Sequence, residues 1–536
     1  MNYGFIIDNR KCIGCHACTV ACKAEHNVPL GVNRTWVKYI EKGEYPHTRR
    51  LFTVTRCNHC ADAPCVEICP VTALYTRPDG IVDFNNDRCI GCKACTQACP
   101  YDALYIDPNL HTAAKCNYCT HRIETGIEPA CVIVCPVHAI ISGDIDNPAS
   151  EIARLLASEP VQVRKPEKNT RPKLYYIGAD QAGLTPALAP GDSDYMWSSQ
   201  SAAVGHGLKE AHEAGAFITT LLKQPETLVA ASELSHGPAD YPAIETEIEK
   251  AKRVYDVPSE GVMWGWQVAA YIWTKAIAAG AVLVPFFAAG LGFGNETSAA
   301  ALTAVIIAMV FLGLTGVLLA IDLDRPERFF YVLIRPQWRS WLTRGAYIIT
   351  GYAVLIGLWA IADILDAFSL RDLLHWPILL FAALTAIYTG FLFSQAKGRD
   401  FWQNPAFVLQ LLAHAFIAGS AVLMLISLIA TSIGFDRPLL IRMFLGSLSI
   451  SALILAIELS TSDATADAQQ TKRIVTRGAF ARLFWIGVAG AGLALPLLLA
   501  SSGSATLSAV ASGLALVGLF FYAHIWVRAP QLVALS

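Results

Sequence analysis

The cysteines are the residues whose type and spacing point most clearly to chemistry. The stretch CIGCHACTVAC, residues 12–22, has the spacing C-x2-C-x2-C-x3-C, which returns in CIGCKACTQACP, residues 89–100. Two looser copies are CNHCADAPCVEICP, residues 57–70, and CNYC with CVIVCP, residues 116–136. Three thiolates so spaced surround one corner of a cubane, while the fourth cysteine, followed by Pro in three copies, ligates a partner cluster. The sequence therefore predicts cubane [4Fe-4S] clusters.

The number of cysteines predicts how many clusters there are. Sixteen cysteines at four per cubane give four [4Fe-4S] clusters with no cysteine left over. We pair the motifs by nesting the first with the last and the second with the third. The predicted ligand sets are set A, Cys12, Cys15, Cys18 and Cys135; set B, Cys22, Cys116, Cys119 and Cys131; set C, Cys57, Cys60, Cys65 and Cys99; and set D, Cys69, Cys89, Cys92 and Cys95.

Zinc and haem are the alternative interpretations of these cysteines. A zinc site needs an isolated tetrahedral set, often two C-x2-4-C knuckles far apart, and does not explain three cysteines within seven residues, twice. Cys12 to His16 also match the C-x-x-C-H haem-attachment signature. That signature uses two of the sixteen cysteines, and Lys93 replaces His16 in the repeat. The cysteine spacing therefore favours iron–sulfur clusters over both zinc and haem.

The bulk composition excludes several function classes. The net charge is -2 with no basic cluster, so we expect no nucleic-acid partner. We find no dinucleotide-binding G-x-G-x-x-G after a strand and no phosphate-binding P-loop. MNYGFIIDNRKC lacks the apolar stretch of a signal peptide. The 54% hydrophobic content with 16% charged residues is high for a soluble protein and indicates two unlike halves.

The second half contains apolar segments long enough to cross a membrane. A span needs about 20 predominantly apolar residues, and the chain after Trp264 offers eight. Several are rich in Gly and Ala, which favours close helix–helix approach. The predicted spans are 266–291, 299–321, 343–365, 375–396, 405–433, 438–461, 480–500 and 507–527.

These elements predict three regions. Residues 1–145 are expected to form an α+β ferredoxin-like multi-cluster iron–sulfur domain, with strands at GIVDF (80–84) and ALYID (103–107). Residues 146–262, with pieces such as IETEIEKAKRVY (244–255), are expected to be a linker that wraps the surface; disorder in part of it is the alternative. Residues 263–536 are expected to form an all-α transmembrane bundle of eight helices.

The short loops between the spans predict the orientation. Twelve basic residues lie on the side shared with the N-terminus and three lie on the other side. Because basic loops stay in the cytoplasm, we expect both termini and the cysteine domain on the cytoplasmic side of a bacterial inner membrane. The even number of spans agrees with the absent signal peptide. The twelve are Arg325, Arg328, Arg335, Arg339, Arg344, Lys397, Arg399, Lys472, Arg473, Arg477, Arg482 and Arg528; the three are Arg371, Arg437 and Arg442.

Polar residues near the start of the first span are candidates for binding a quinone. Trp266, Gln267, Tyr271 and Lys275 lie there, and the last three recur every four residues on one helix face. An amide, a phenol and an amine on one face can form hydrogen bonds to quinone carbonyl groups. The alternative is that Lys275 snorkels to the membrane surface beside an aromatic belt.

Ionisable residues in or beside other spans are candidates for proton transfer. His414 in LLAHAFIAG and Glu458 in LAIELST lie deeper in the membrane half, where ionisable groups are expensive and often functional. A hydrogen-bonded helix pair is the alternative for His414. Asp322 and Arg325 in DLDRPERF are predicted to pair at a helix end, either to carry protons or to hold the loop.

Two family resemblances cover most of the chain. The four cysteine motifs resemble the four-cluster iron–sulfur subunits of the dimethyl-sulfoxide and polysulfide reductase families. The region containing GWQVAAYIWTKAIAAGA, DLDRPERFFYVLIRPQWRSWLTRGAY and YTGFLFSQAKGRDFW is similar to the NrfD/PsrC family of quinone-interacting membrane subunits. The resemblance implies that Tyr388 lines a quinone pocket, that a molybdopterin-type catalytic subunit is the partner, and that two usually separate subunits are fused here.

The resemblance implies an electron-transfer and membrane-anchor subunit of a respiratory oxidoreductase. Electrons would pass through four clusters between the catalytic subunit and ubiquinone or menaquinone, and the complex could form a higher oligomer. A cytoplasmic cysteine domain departs from the usual periplasmic relatives and favours sulfite, formate or another sulfur compound as substrate. The alternatives are a redox-driven proton-translocating module and a purely structural anchor.

Overall fold

The protein forms two compact units. The computed structural model describes residues 1–186, 189, 251–257, 261–293, 297–461 and 465–536. The first unit comprises Met1–Met263 together with the short segments Ala396–Arg399 and Gln531–Ser536. The second unit comprises Trp264–Gln395 and Asp400–Pro530.

The first unit contains four small sheets. Their strand orders are β8-β1-β10-β9, β11-β2-β3, β4-β5 and β6-β7, and only β1 and β10 pair in parallel among these described strands. The strands are β1 Tyr3–Asp8, β2 Thr35–Lys42, β3 Arg49–Arg56, β4 Leu74–Thr76, β5 Val82–Phe84, β6 Leu104–Ile106, β7 Ala113–Lys115, β8 Ile140–Asp144, β9 Val161–Gln162, β10 Leu174–Ile177 and β11 Ala251–Tyr255. The strands predicted at GIVDF and ALYID are thus β5 and β6.

The first unit also contains seven short α-helices among its described residues. They are α1 Ala17–His26, α2 Pro64–Ile68, α3 Ala94–Ala98, α4 Thr120–Ile123, α5 Ala130–Ile133, α6 Glu151–Ser158 and α7 Gln181–Leu184. Five of them, α1 to α5, contain or directly follow cysteines of the motifs. Helices α1 and α3 start at equivalent places in the two CIGC repeats, directly after His16 and Lys93, whose φ values of 59° and 60° are left-handed. This turn lets successive cysteines of one motif face the same point.

The structure contains strands at both ends of the segment 146–262, which we expected to be a linker. Strand β10, within the expected linker, pairs in parallel with β1, and its Leu174 and Tyr176 are buried. Strand β11, the last part of IETEIEKAKRVY, pairs with β2. Leu174 and Tyr176 of β10 complete the core around β1, and Ala251 of β11 packs against Ile40 of β2, so the first unit does not end at residue 145. Residues 187–188, 190–250 and 258–260 of the expected linker lie outside the described residues.

The second unit is helical, as the sequence predicts. Eight of its described helices are long and apolar enough to cross a membrane, and their bounds match the predicted spans within a few residues apart from the start of the fourth. They are α8 Trp266–Gly290, α9 Ser298–Ile321, α11 Trp341–Ile364, α12 Phe368–Gln395, α13 Ala406–Ile429, α14 Arg437–Ser460, α16 Leu483–Ser501 and α17 Ala505–Arg528. The shorter helices are α10 Tyr331–Ile334 and α15 Ala466–Thr476.

Helix α8 lies at the centre of the second unit. It packs against α9, α12, α13 and α17, and most of its side chains are buried. Its closest approach is to α13, where a Cβ added at Gly280 would lie 1.8 Å from the Ala415 carbonyl oxygen. Backbones this close require glycine, as predicted for the Gly- and Ala-rich spans. Polar side chains on α8 are therefore enclosed by neighbouring helices.

Candidate functional site

The four thiols of set A and the four of set D each line a cavity in the first unit. Cys12, Cys15, Cys18 and Cys135 line one of these cavities. Cys69, Cys89, Cys92 and Cys95 line the other. Set A lies nearer the surface, because Cys15 is exposed and Cys12 and Cys135 are half-buried. Each nested pairing of motifs thus brings four thiols around one space.

The thiols of sets B and C are also neighbours within each set. Burial, and then the other three thiols of set B, raise the pKa of Cys22. Burial, and then the other three thiols of set C, raise the pKa of Cys65 far above its ordinary value. Burial and nearby thiols also raise the pKa of Cys60 to about 12 and that of Cys119 to about 12. Such thiols ionise when a cationic centre binds them.

Electrostatic interactions between the sets give them an order. Cys18 of set A interacts with Cys131 of set B. Cys57 of set C interacts with Cys116 of set B. Cys95 of set D interacts with Cys65 of set C. The sets therefore form one continuous series, A to B to C to D.

The donor sets fit cubane clusters. Backbone N–H groups donate to three cysteine sulfurs: Ala73 to Cys69 at 3.2 Å, Ala113 to Cys89 at 3.4 Å and Ala139 to Cys135 at 3.2 Å. Such hydrogen bonds stabilise thiolate ligands.

His16, of the haem-like CIGCH, has a structural role at the start of α1. Its backbone makes the left-handed turn, and its ring packs edge-on against Tyr255 with centroids 5.0 Å apart. Lys93 makes the same turn in the repeat. The two repeats thus share the same left-handed turn, and His16 and Lys93 occupy equivalent positions in it.

In the second unit, predicted quinone residues of α8 and α12 come together. Gln267, Tyr271 and Lys275 are all buried on α8, as is Tyr388 on α12. The Lys275 ammonium lies 4.2 Å from the centroid of the Tyr388 ring and donates a hydrogen bond to the Thr389 hydroxyl. Tyr271 interacts electrostatically with Tyr388. We call Gln267, Tyr271, Lys275, Tyr388 and Thr389 the Lys275 site.

The Lys275 site has hydrogen-bonding capacity for a ligand. The Gln267 Oε1 atom is buried and has no hydrogen-bond partner, although buried polar atoms are normally paired. Lys275 is 1% exposed, so it is not a snorkelling side chain. Its ammonium has three donors, and the Tyr388 phenol can donate or accept. Trp266 is half-buried at the first position of α8.

The candidates for proton transfer fall into separate groups. Gln410, one turn before His414 on α13, lies 2.9 Å from the His414 ring nitrogen and donates to Ser451 of α14 at 2.6 Å. The His414 ring also packs edge-on against Tyr522 of α17, with centroids 4.5 Å apart. This network holds α13, α14 and α17 together, as the helix-pair interpretation of His414 expects.

The other predicted proton residues lie at helix ends. Glu458 is buried near the end of α14 and accepts a hydrogen bond from Asn404 at 3.0 Å. Asp322 directly follows α9 and interacts electrostatically with Tyr271 of the Lys275 site. Arg325 forms an ion pair with Glu327 at 3.3 Å. Asp322 is thus a predicted proton residue whose interactions reach the Lys275 site.

Three residues in these sites were not predicted from the sequence. Thr389 directly follows Tyr388 in YTGF. Its position beside a residue already predicted to bind quinone was the only signal in the sequence that pointed to it. Gln410 lies four residues before His414, which is the spacing of side chains that touch on a helix. Arg56 directly precedes Cys57, but its contacts come from distant parts of the chain.

Family comparisons agree with this division of the chain. The family described as polysulphide reductase, NrfD matches residues 257–533. Two 4Fe-4S dicluster domain families match residues 11–74 and 48–145. The membrane half and the cysteine half therefore each match a family of their own.

Individual proteins resemble about a third of the chain. One subunit of the tetrathionate reductase of Salmonella typhimurium is 44% identical over 190 residues, 35% of this chain and 76% of that protein. One component of the polysulfide reductase of Wolinella succinogenes is 42% identical over 187 residues, 34% of this chain and 97% of that protein. Protein NrfC of Escherichia coli is 42% identical over 180 residues, 33% of this chain and 81% of that protein.

These matches join two modules in one chain. The cysteine module resembles components of reductases along most of their length, and the helical module contains eight apolar helices of membrane-spanning length. The chain is therefore a multi-pass membrane protein of the polysulphide reductase NrfD family, fused to an iron–sulfur module with two 4Fe-4S dicluster matches.

Proposed function

We propose that the chain carries electrons between a separate catalytic subunit and the membrane quinone pool through four [4Fe-4S] clusters. The observation that carries the proposal is that the thiols of sets A and D each surround one cavity, with the thiols of sets B and C as their neighbours. Each cluster supplies one-electron transfer when bound. The chain's own residues contribute sixteen thiolates, backbone N–H donors to sulfur and burial from water. The relatives named above, from tetrathionate and polysulfide reductases, support this role.

We infer that set A is where the catalytic subunit exchanges electrons with the chain. Set A has the exposed Cys15, and the apolar side chains of Ile13, Val20 and Ile133 around it are exposed as well. Exposed apolar residues grouped on a surface favour protein–protein contact. The proposed partner is a molybdopterin-type subunit that acts on sulfite, formate or another sulfur compound.

We propose that the Lys275 site holds ubiquinone or menaquinone. Quinone reduction takes two electrons and two protons, so the site needs hydrogen-bond donors for carbonyl oxygen and a route for protons. The Lys275 ammonium and the Tyr388 phenol are donors, and Gln267 Oε1 can accept from a hydroxyl group. Asp322, which interacts electrostatically with Tyr271, is the proposed proton donor or acceptor for this site. Trp266 and Arg325 are proposed to border it.

A second candidate function is redox-driven proton translocation. The observation that favours it is the buried polar network of Gln410, His414 and Ser451, beside a Tyr522 hydroxyl with no hydrogen-bond partner. With Glu458, this network would carry protons along α13 and α14. We expect His414→Leu to abolish proton release in vesicles while leaving quinone turnover intact. Equal proton release by the variant and the unchanged protein would leave His414 with its structural role alone.

We infer that both termini and the iron–sulfur module lie on the cytoplasmic side. The basis is the twelve basic residues on one side against three on the other. A protease added to intact spheroplasts is expected to leave an N-terminal tag uncut and to remove it after lysis. Cleavage of the tag in intact spheroplasts would show that the N-terminus lies on the opposite, periplasmic side.

The proposed function is tested with the full chain in lipid nanodiscs. Iron and acid-labile sulfide are each expected at about sixteen per chain. A reduced quinol added to the oxidised protein is expected to reduce the clusters, seen as bleaching of their visible absorption and appearance of their EPR signals. Protein that holds the clusters but neither accepts electrons from quinol nor donates them to quinone would contradict the proposal.

Gly345 of α11 provides a steric test of the Lys275 site. A Cβ at this position would lie 2.3 Å from Tyr388 Cε2, so the Gly345→Ala variant must displace the ring. Overpacking of this kind costs about 1–3 kcal/mol. We expect a KM for quinol raised about 5-fold or more, since about 1 kcal/mol of lost binding already has that effect. The measurement is steady-state quinol oxidation with an artificial electron acceptor.

Gly357→Ala is the matched control on the same helix. Its added Cβ would meet only the Met309 methyl group, at an ordinary 3.7 Å. Replacing glycine by alanine inside a helix otherwise stabilises it. We expect the control to keep the KM of the unchanged protein. Equal effects of the two variants would show that the change in KM comes from loss of a glycine in α11 and not from displacement of Tyr388.

A further inference from the structure

Arg56 is a buried arginine between two of the thiol sets. It ends β3, directly before Cys57, and is fully buried. Its Nη1 donates to the Cys131 sulfur of set B at 3.1 Å. Its charge also interacts with Cys116 of set B and Cys18 of set A. The guanidinium therefore lies where set A meets set B.

No carboxylate balances this charge among the described residues. Arg56 takes part in none of the ion pairs of the described ranges, and its Nε and Nη2 are buried with no hydrogen-bond partner. The guanidinium carbon also lies 4.6 Å from the centroid of the Phe5 ring. A buried arginine without a counter-charge is strongly unfavourable, so something in the mature protein must supply negative charge.

The thiolate clusters are the negative charge that the site lacks. A cubane with four thiolate ligands is an anion in both of its usual oxidation states, and reduction makes it more negative by one charge. A fixed positive charge beside it, with an N–H donated to its sulfur, favours the reduced state. Arg56 cannot lose its proton, so its charge stays constant at any working pH.

We propose that Arg56 is the counter-charge shared by the clusters of sets A and B, and that it raises their reduction potentials. The proposal rests on the proposed function in one respect, namely that clusters occupy these sets. The charge of Arg56 favours electrons on these two clusters relative to the rest of the series. Arg56 is a positioning residue and does not itself transfer electrons.

Lys115 provides a comparison at the next junction. It is fully buried at the end of β7 and donates to the Cys116 carbonyl oxygen at 2.9 Å. Its ammonium interacts with Cys57 and Cys65 of set C. A variant of Lys115 is therefore expected to change the potential of set C and to leave that of set A unchanged.

The test compares three variants of the full chain in nanodiscs. Arg56→Met removes the charge at similar length, Arg56→Lys keeps the charge, and Arg50→Met removes an exposed charge from the same strand. Iron and sulfide are measured first. The midpoint potential of each cluster is then measured by EPR during a redox titration, and this readout does not depend on turnover.

We expect Arg56→Met to shift two of the midpoint potentials to more negative values, with Arg56→Lys and Arg50→Met close to the unchanged protein. Loss of about half of the iron in Arg56→Met, with full iron in Arg56→Lys, would equally support a counter-charge. Full iron and unchanged potentials in Arg56→Met would overturn the proposal, as would equal iron loss in both Arg56 variants. Absence of clusters from the unchanged protein would instead overturn the proposed function.

Discussion

The Lys275→Met variant is expected to lose quinone-linked electron transfer by about 10- to 100-fold while keeping all of its clusters. Hydrogen bonds from a charged donor contribute about 1.5–3 kcal/mol, and each 1.4 kcal/mol changes a rate about tenfold. The side chain is buried in the membrane unit, where no water can replace its ammonium. The measurement is the rate at which quinol reduces the oxidised clusters, with iron content as the check on integrity.

Lys472→Met is the matched control for Lys275→Met. Lys472 also lies in the second unit, but its ammonium donates to the Thr461 carbonyl oxygen at 2.7 Å at the end of a helix. We expect this control to transfer electrons at the unchanged rate. A Lys275→Met protein with full iron and an unchanged rate would place the quinone outside the Lys275 site.

The Cys65→Ala variant is expected to interrupt the series of clusters. Cys65 is a buried member of set C, which lies between set B and set D in the order given by the thiol interactions. Loss of one cubane removes about four iron atoms per chain. Electron transfer from quinol to an acceptor docked at set A is then expected to fall to background.

Glu67→Ala on the same short helix controls for damage to α2. Its side chain is exposed, so iron content and electron transfer are expected to stay unchanged. If Cys65→Ala loses about four iron atoms and still passes electrons at the full rate, set C is not an obligatory step and the series A to D is wrong.

The membrane helices and the iron–sulfur character of the cysteine half could be predicted because their signals are local. A span is an uninterrupted apolar run, and a cluster motif is a set of spacings within a dozen residues. Both need no knowledge of what packs against them. The same holds for β5 and β6, whose short apolar runs lie beside the motifs.

The expected linker shows why other parts could not be predicted. Strand β10 is four residues long and pairs in parallel with β1, more than 160 residues earlier in the chain, at Phe5 with Leu174. No local pattern records such a pairing. Residues 146–262 show no regular pattern of apolar residues, and we therefore expected a linker there. In the structure, β10 and β11 of this segment pair with distant strands, and β9, β10 and β11 join two sheets.

The site residues divide in the same way. Helical spacing was enough to place Gln267, Tyr271 and Lys275 on one face of α8. Tyr388 required the family resemblance, because it lies on another helix. Thr389 and Arg56 required the structure, since the atoms that they contact belong to α8 and to the last cysteine motif.

The central claim is that the chain itself passes electrons between its clusters and a quinone held at the Lys275 site. The most direct measurement mixes the dithionite-reduced full chain in nanodiscs with a soluble quinone and follows recovery of the cluster absorption in a single turnover. We predict rapid recovery in the unchanged protein and recovery about 10- to 100-fold slower in Lys275→Met with full iron. No recovery in the unchanged protein, or equal rates in the two proteins, would contradict the account.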